Sequence, residues 1–587
     1  MGRKKKIYLL NISKEDCIKF KKRSNEQHFF IGPWCKNNID LLKENFNDTL
    51  NLYDRKKIKK YKKDISFLQE NYEIILEIII KNLNIIHKKK LNKKFWEILL
   101  SRWLFVWINH IYFRWDYIKK INKKFSLNNI VSNQINPNYA IPSNTLQAHN
   151  LCRVDEKWNE LIFNQILSYQ TKNKIKYIYL KNIDYKKNDF QILDFPKFSF
   201  FRKKSNLFLY KSELNFKTRL SIRNYYNSYS ISFFSQKKIY GKIKSDFRKK
   251  FDNLLPKSNK NNFKEFLISI LKYNLPKIFL ENFKDLENLY LRSQWPQNVN
   301  YIITSYGQYY DELFKFYVAN LTKNKKVKFC ILQHGYGNLF PKSDFYNVYM
   351  DRKVSDIYLS WGNLKREKNK PLFYPRVTNS KIENFKYKKN RNILILSYSF
   401  SNTLITPPDG SLNGNSINQK NLFSLISFLN QIKFDLKKFI HIKNQKINVS
   451  KNFTDSLKKK FSFLKFESEK KSFLEVVNNF NFFIHIFFGT PFFECMALNK
   501  PSIIIYKDIT HPPFDKKFYD YLKKFKKSKI LFNNEKLAAN FVKKNYYNLE
   551  KWWNGNELQK IRKDFCNDYC LYTDKYIDIF KKVFVRN

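Results

Sequence analysis

At 587 residues the chain is longer than one hydrophobic core can serve, so two or three domains are expected. Its 111 Lys and Arg against 50 Asp and Glu give a formal charge of +61. The lysines are spread along the whole chain, which argues against a dedicated nucleic-acid segment and for a generally basic surface, one that favours phosphate-bearing substrates and anionic lipid.

Met1 to Asn11 holds only a short apolar run, Ile7–Leu10, before Asn11, Lys14, Glu15 and Asp16, too little for a signal peptide. A cytoplasmic protein is therefore expected, with peripheral contact at the cytoplasmic face of the inner membrane compatible with its charge. Runs at Ile7–Leu10, Phe29–Ile31, Tyr177–Leu180 and Leu207–Tyr210 read as strands, and Asp64–Asn84, Phe95–Ile121, Glu156–Ser168 and Phe263–Leu271 as helices. The most membrane-like stretch, Phe95–Trp115, is interrupted by Glu97, Arg102, Asn109, His110 and Arg114, so it reads as a buried or interfacial helix and not a span.

From Tyr301 onward the alternation becomes regular. Strands are expected at Tyr301–Ser305, Val327–Gln333, Ile357–Ser360, Ile393–Leu396, Phe439–Lys443, Phe482–Phe487 and Ser502–Tyr506, with helices at Tyr310–Asn320, Asn421–Gln431, Asn452–Lys459, Pro491–Asn499 and Lys536–Lys544. This repetition argues an α/β fold of parallel sheets. The Lys- and Asn-rich stretch Asn379–Arg391 is the linker candidate. It divides an N-terminal portion, 1–378, from a C-terminal α/β unit, 392–587. Thr403–Lys420, with Pro407-Pro408-Asp409-Gly410, reads as a long loop after a strand. The seven cysteines form no CxxC pair and no Cys/His zinc pattern, and they read as reduced thiols.

Ligands of open α/β sheets sit beyond the carboxyl ends of the strands, and two such places stand out. The first is Gln333-His334-Gly335-Tyr336-Gly337, where an apolar strand ends in a polar pair and two glycines. A histidine there serves as general base or phosphate partner, or simply caps the strand end. The second is His485-Ile486-Phe487-Phe488-Gly489-Thr490-Pro491-Phe492-Phe493-Glu494, read as strand, Gly-Thr turn and helix opening with Pro at its first position. A helix N-terminus after such a turn suits a diphosphate, and Glu494 one turn in can accept from ribose hydroxyls or act as a capping carboxylate.

The string Gly489-Thr490-x-x-x-Glu494-x-x-Ala497-x-x-x-Pro501-x-Ile503 resembles the nucleotide-sugar half of glycosyltransferases with two facing Rossmann-like domains. Taken with Gly32-Pro33-Trp34-Cys35, Trp96 to Trp115, Asp155 to Asn159, Gln333-His334-Gly335, Leu359-Ser360-Trp361-Gly362 and Trp552-Trp553, the chain is similar to a transferase family of bacterial surface-polysaccharide and lipopolysaccharide gene clusters. That family is distantly similar to capsule Kdo transferases and CDP-glycerol glycerophosphotransferases.

The resemblance implies a GT-B-like plan with a helical elaboration in the N-terminal half. It implies a nucleotide-activated sugar donor, a glycan or lipid-linked acceptor, His334 as the catalytic group, and donor binding by Gly489, Thr490 and Glu494. Lys443 takes the place of the family's basic residue after the Phe439 strand. Gln333, Gly335, Trp361 and His511 are the remaining cleft candidates. One departure is Gly335-Tyr336-Gly337, a loop one residue tighter than the family pattern; another is the lack of a small polar residue near Phe487 and Phe488.

No Walker loop, His-Glu-x-x-His, Gly-x-Ser-x-Gly or strand-end Asp-x-Asp is present, so a metal-independent transferase without a cofactor is expected. Two rivals are glycerophosphate transfer from a CDP-linked donor, and a basic RNA- or membrane-binding protein without catalysis.

Overall fold

The computed structural model describes residues 6–584 apart from 21–22, 24, 37–49, 51–57, 126–128, 173, 185–189, 195–205, 227, 232–234, 240–242, 259, 294, 336–345, 364–367, 379–381, 388–391, 398–413, 445–450 and 507–513. Tyr336-Gly337, the Pro407–Gly410 turn and His511 lie outside the described residues.

Three parallel sheets follow one another along the chain. The first joins β1 (Lys6–Leu10), β2 (Glu26–Phe30), β3 (Asn129–Ile135) and β4 (Lys176–Ile183) in the order β2-β1-β3-β4. The second joins β6 (Leu207–Tyr210), β7 (Ser228–Ile231), β9 (Tyr301–Thr304), β10 (Lys328–Leu332), β11 (Ile357–Ser360) and β12 (Asn369–Pro371) in the order β12-β11-β10-β9-β6-β7. A two-stranded antiparallel ribbon pairs β5 (Phe190–Asp194) with β8 (Ser235–Ile239).

The third sheet joins β13 (Ile393–Ser397), β14 (Ile440–Asn444), β15 (Lys465–Phe466), β16 (Phe482–His485), β17 (Ser502–Ile505) and β18 (Leu531–Phe532). Its order is β15-β14-β13-β16-β17-β18, in which the direction of winding reverses between β13 and β16. That is the doubly wound order, and the reversal leaves a crevice at the carboxyl ends of those two strands.

The expected parallel α/β architecture is therefore present, with a feature the alternation did not suggest: residues 1–378 hold two parallel sheets. Between them runs the helix Lys93–Lys124, capped by the Asn92 side chain accepting from the Phe95 N–H. It buries side chains all round its circumference because neighbours cover it on every side. Its polar groups find partners inside: Arg114 donates to Asn159 Oδ1 at 2.7 Å and to the His110 carbonyl at 2.7 Å, and Arg102 to the Tyr310 hydroxyl at 2.9 Å. No helix among the described residues is long and apolar enough to cross a membrane.

The described part of the 379–391 stretch runs as coil pinned to the third unit, with Asn554 Nδ2 donating to the Phe385 carbonyl at 2.8 Å and Asn499 Nδ2 to the Glu383 carbonyl at 3.0 Å. The C-terminus does not stay with the third sheet. Gly362 abuts the Asp568 backbone, the Leu571 N–H donates to the Trp361 carbonyl, and the Tyr374 N–H donates to the Leu571 carbonyl at 2.7 Å. The last helix, Tyr576–Val583, then places Phe580 and Phe584 in the core of the second sheet beside Leu207, Leu209 and Ile303.

Candidate functional site

The site is assembled from the carboxyl ends of β10, β6 and β16 and from the segment after β12. At the end of β10, Gln333 works as a strut: its Nε2 donates to the Gly335 carbonyl at 2.8 Å and its Oε1 accepts from the Trp361 N–H at 2.9 Å. Gly335 then turns with φ +77°, a conformation that disfavours a β-carbon. This turn leaves the His334 side chain 45% exposed, with Nδ1 3.1 Å from Glu213 Oε1.

Glu213 stands just beyond β6, in a loop where Lys211 (φ +45°) and Glu213 (φ +53°) both adopt left-handed backbone, the kind of strain that collects at functional sites. Burial pulls the imidazole pKa down, but the hydrogen bond and charge of Glu213 outweigh it and hold His334 above its ordinary value. Burial likewise pulls Glu213 up, and the bond and charge of His334, with a smaller share from Arg376, hold it below the usual carboxylate value. With Nδ1–H donating to the carboxylate, Nε2 is the ring atom left to accept a proton, the base-and-orienter pairing of general-base catalysis.

The aromatic rings of Tyr306 and Tyr309 flank the imidazole at centroid distances of 5.6 and 6.2 Å. Behind them Asp351 accepts from the Tyr309 hydroxyl at 2.9 Å and from Gln308 Nε2 at 3.0 Å. Burial pushes its carboxyl up to about 6 against the pull of those two bonds.

On the third sheet, β16 ends at His485, whose burial drops its pKa to about 3 and keeps it neutral. The chain turns at Gly489, where a β-carbon would meet the Phe487 ring, and enters the helix Thr490–Ala497 with Pro491 in its first turn. Glu494 is 1% exposed. Its Oε1 lies 3.0 Å from Nη1 of Arg376, which comes from the segment after β12. Desolvation dominates and pushes the Glu494 carboxyl up to about 7 against the opposing charge of Arg376.

The two expected strand-end motifs meet. A β-carbon on Gly335 would sit 3.9 Å from Thr490 Oγ1, so the loop after β10 of the second sheet touches the helix start after β16 of the third. Arg376 spans the same gap, paired with Glu494 and near enough to Glu213 to act on its charge.

Other expected positions fall differently. Trp361, expected to line the cleft, is 1% exposed and packs against Tyr374 with ring centroids 4.3 Å apart, because Gln333 and Leu571 draw its backbone inward. Lys443 stands at the end of β14, but its ammonium donates to the Ser468 carbonyl at 2.9 Å. Cys566 and Cys570 are buried free thiols, and among the described residues no group of three or more His, Cys, Asp and Glu is placed to hold a metal ion. Glu213, Arg376 and Tyr306 escaped the sequence reading. Glu213 was within reach of it, since it follows the expected strand Leu207–Tyr210 by three residues.

Known proteins bear on this arrangement unevenly. No curated protein matches the chain. Among solved structures it is similar to the wall teichoic acid polymerase TagF, at 10% identity over 65% of this chain and 90% of that one, with a TM-score of 0.33. It is also similar to S. aureus MnaA in a co-structure with UDP, at 9% identity over 52% of this chain and 78% of that one, with a TM-score of 0.30. Both superpositions are loose. The family model for the LIC12162 family transferase, by contrast, runs from residue 17 to residue 584, through both strand-end motifs and every residue of the site, and the chain is a member of that family of transferases.

Proposed function

We propose that this transferase moves a sugar from a nucleotide-activated donor to a cell-surface glycan or lipid-linked acceptor, in a cleft between two facing Rossmann-like units of GT-B plan built on the second and third sheets. The observation that carries this reading is the approach of Gly335 to Thr490, which joins the carboxyl ends of two parallel sheets, the place where α/β folds hold ligands.

In this reading the donor phosphates lie at the start of the helix Thr490–Ala497, with the guanidinium of Arg376, held at that helix by Glu494, as a cation for them. Glu494, as carboxylate, accepts from the ribose hydroxyls. His334 takes the proton of the attacking acceptor hydroxyl on Nε2 while Glu213 stabilises the imidazolium through Nδ1–H, assistance worth about 10²- to 10⁴-fold in rate. Lys443 joins the phosphate site only by leaving the Ser468 carbonyl. Charge on the leaving phosphates is met by Arg376 and the helix start, so the reaction is expected to survive EDTA.

Thermal shift of the purified protein against UDP, CDP, GDP, CMP and their sugar conjugates tests the reading. A true donor at about 100 times its dissociation constant adds roughly 2.7 kcal/mol. A shift from one nucleotide, lost in Glu494→Gln, supports the donor site. No shift from any nucleotide overturns it, and phosphorus in the product reassigns the reaction to glycerophosphate transfer.

A further inference from the structure

The helices on one face of the third sheet leave apolar side chains in solvent. Among the described residues thirteen large hydrophobic side chains are exposed, and four of them, Phe423, Phe434, Leu537 and Tyr547, belong to this one layer. Phe434, at 88%, is the most exposed of the thirteen.

Two hydrogen bonds tie the segments that carry them to one another. Ser424, next to Phe423 in the helix Gly414–Asn430, donates to Glu535 at the start of the helix Glu535–Asn545, two residues before Leu537. The Tyr547 hydroxyl donates to Oδ2 of Asp435, the residue after Phe434, at 2.9 Å. Burial of Leu436, Ala538, Ala539 and Val542 accounts for the inner faces of these segments, whereas the Phe434 ring stays in solvent among the described residues.

The charges around them are mostly positive. Lys433, Lys437, Lys438, Lys536, Lys543 and Lys544 lie on these segments, with Lys437 Nζ 5.8 Å from the Phe434 ring centre. Two acids lie among them, Asp435 accepting from the Tyr547 hydroxyl and Glu535 from the Ser424 hydroxyl, so six lysines face two carboxylates and the balance stays positive.

We infer that this surface docks on an anionic lipid bilayer, with Phe434 and Tyr547 entering the interface and the lysines lying against the headgroups. Aromatic side chains favour the boundary between headgroups and acyl chains, and lysines beside them are drawn to anionic lipid. A protein partner would have to carry a strongly acidic face to match the same six lysines, whereas an anionic bilayer offers that charge everywhere. The inference does not depend on which donor or acceptor the site takes, and its experiment reads binding and not turnover.

The test is co-sedimentation of the full chain with phosphatidylcholine vesicles containing a quarter phosphatidylglycerol, and with pure phosphatidylcholine vesicles. Binding to the anionic vesicles only is expected, weakened as salt rises. Phe434→Ser should weaken it about tenfold or more, from the loss of one buried aromatic side chain. Lys536→Gln with Lys544→Gln should weaken it roughly fivefold per charge. Both variants change exposed side chains, and unchanged circular dichroism and melting temperature confirm that they fold. No binding to anionic vesicles, or binding unaffected by either variant, overturns the inference. A wild-type dimer in solution that Phe434→Ser converts to monomer also overturns it, by assigning the surface to a second copy of the chain.

Discussion

Removing Arg376 puts the electrostatics of the site to its most direct test. Glu494 is 1% exposed and its carboxyl stands at about 7, against 4.5 for the unperturbed group. A raised folded pKa means the fold prefers the protonated form. The group's contribution is thus fully present below pH 4.5 and is lost as pH rises through 7, a span of 2.5 units, or about 3 kcal/mol.

Arg376 limits that loss. In Arg376→Met the buried carboxylate has no cation at 3.0 Å, and breaking a buried pair from one side costs ~3–5 kcal/mol. Because Arg376 itself is 29% exposed, the lower end is expected at pH 9. At pH 5 Glu494 is protonated in both proteins and the difference falls below about 1 kcal/mol. Urea or thermal unfolding of wild type, Arg376→Met, Glu494→Gln and the double variant at both pH values reads this as a cycle. Equal destabilisation at pH 5 and pH 9, or additive effects of the two substitutions at pH 9, would refute the pairing.

Three further outcomes follow from the same geometry. His334→Ala should lower the rate by about 10²- to 10⁴-fold with the fold retained, because the side chain is 45% exposed and supports no core, and with a modest fall in melting temperature from the lost bond to Glu213; unfolding or full activity counts against its role. His334 must be neutral to accept a proton, so the rate should rise with pH through its raised pKa, and Glu213→Gln should move that acidic limb to lower pH. A pH–rate profile in which the limb stays put separates Glu213 from His334. Gly362→Ala drives a β-carbon against the Asp568 backbone, with Tyr569 N at 2.8 Å, and should cost ~1–3 kcal/mol, read as a lower melting temperature.

Much of the local structure was legible in the residues. The strand Ile357–Ser360 lies where its apolar run ends, and the strands through Ile393, Phe482 and Ser502 begin where theirs do, because a parallel strand buried on both faces must be apolar throughout. The Asp155 cap before Glu156–Thr171 and the Gly489-Thr490-Pro491 start of the following helix likewise depend on near neighbours in the chain.

Short or polar elements escaped: β12 is Asn-Lys-Pro, and β15 and β18 are two residues each, too brief to show a period. The last helix was expected with the C-terminal unit, and only packing against Leu207 and Ile303 returns it to the second sheet. Tertiary structure also decided which polar residues meet. His334 and Glu213 are 121 positions apart, and Arg376 and Glu494 are 118 positions apart, so no local pattern could couple them. Nothing in the string around Trp361 or Lys443 shows that one is drawn into the core and the other onto a carbonyl. Residues close in sequence specify strand, turn and helix start through short-range sterics and hydrogen bonds. The pairing of a base with its carboxylate, and of a buried acid with its arginine, arises only when separate sheets pack and desolvate those groups together.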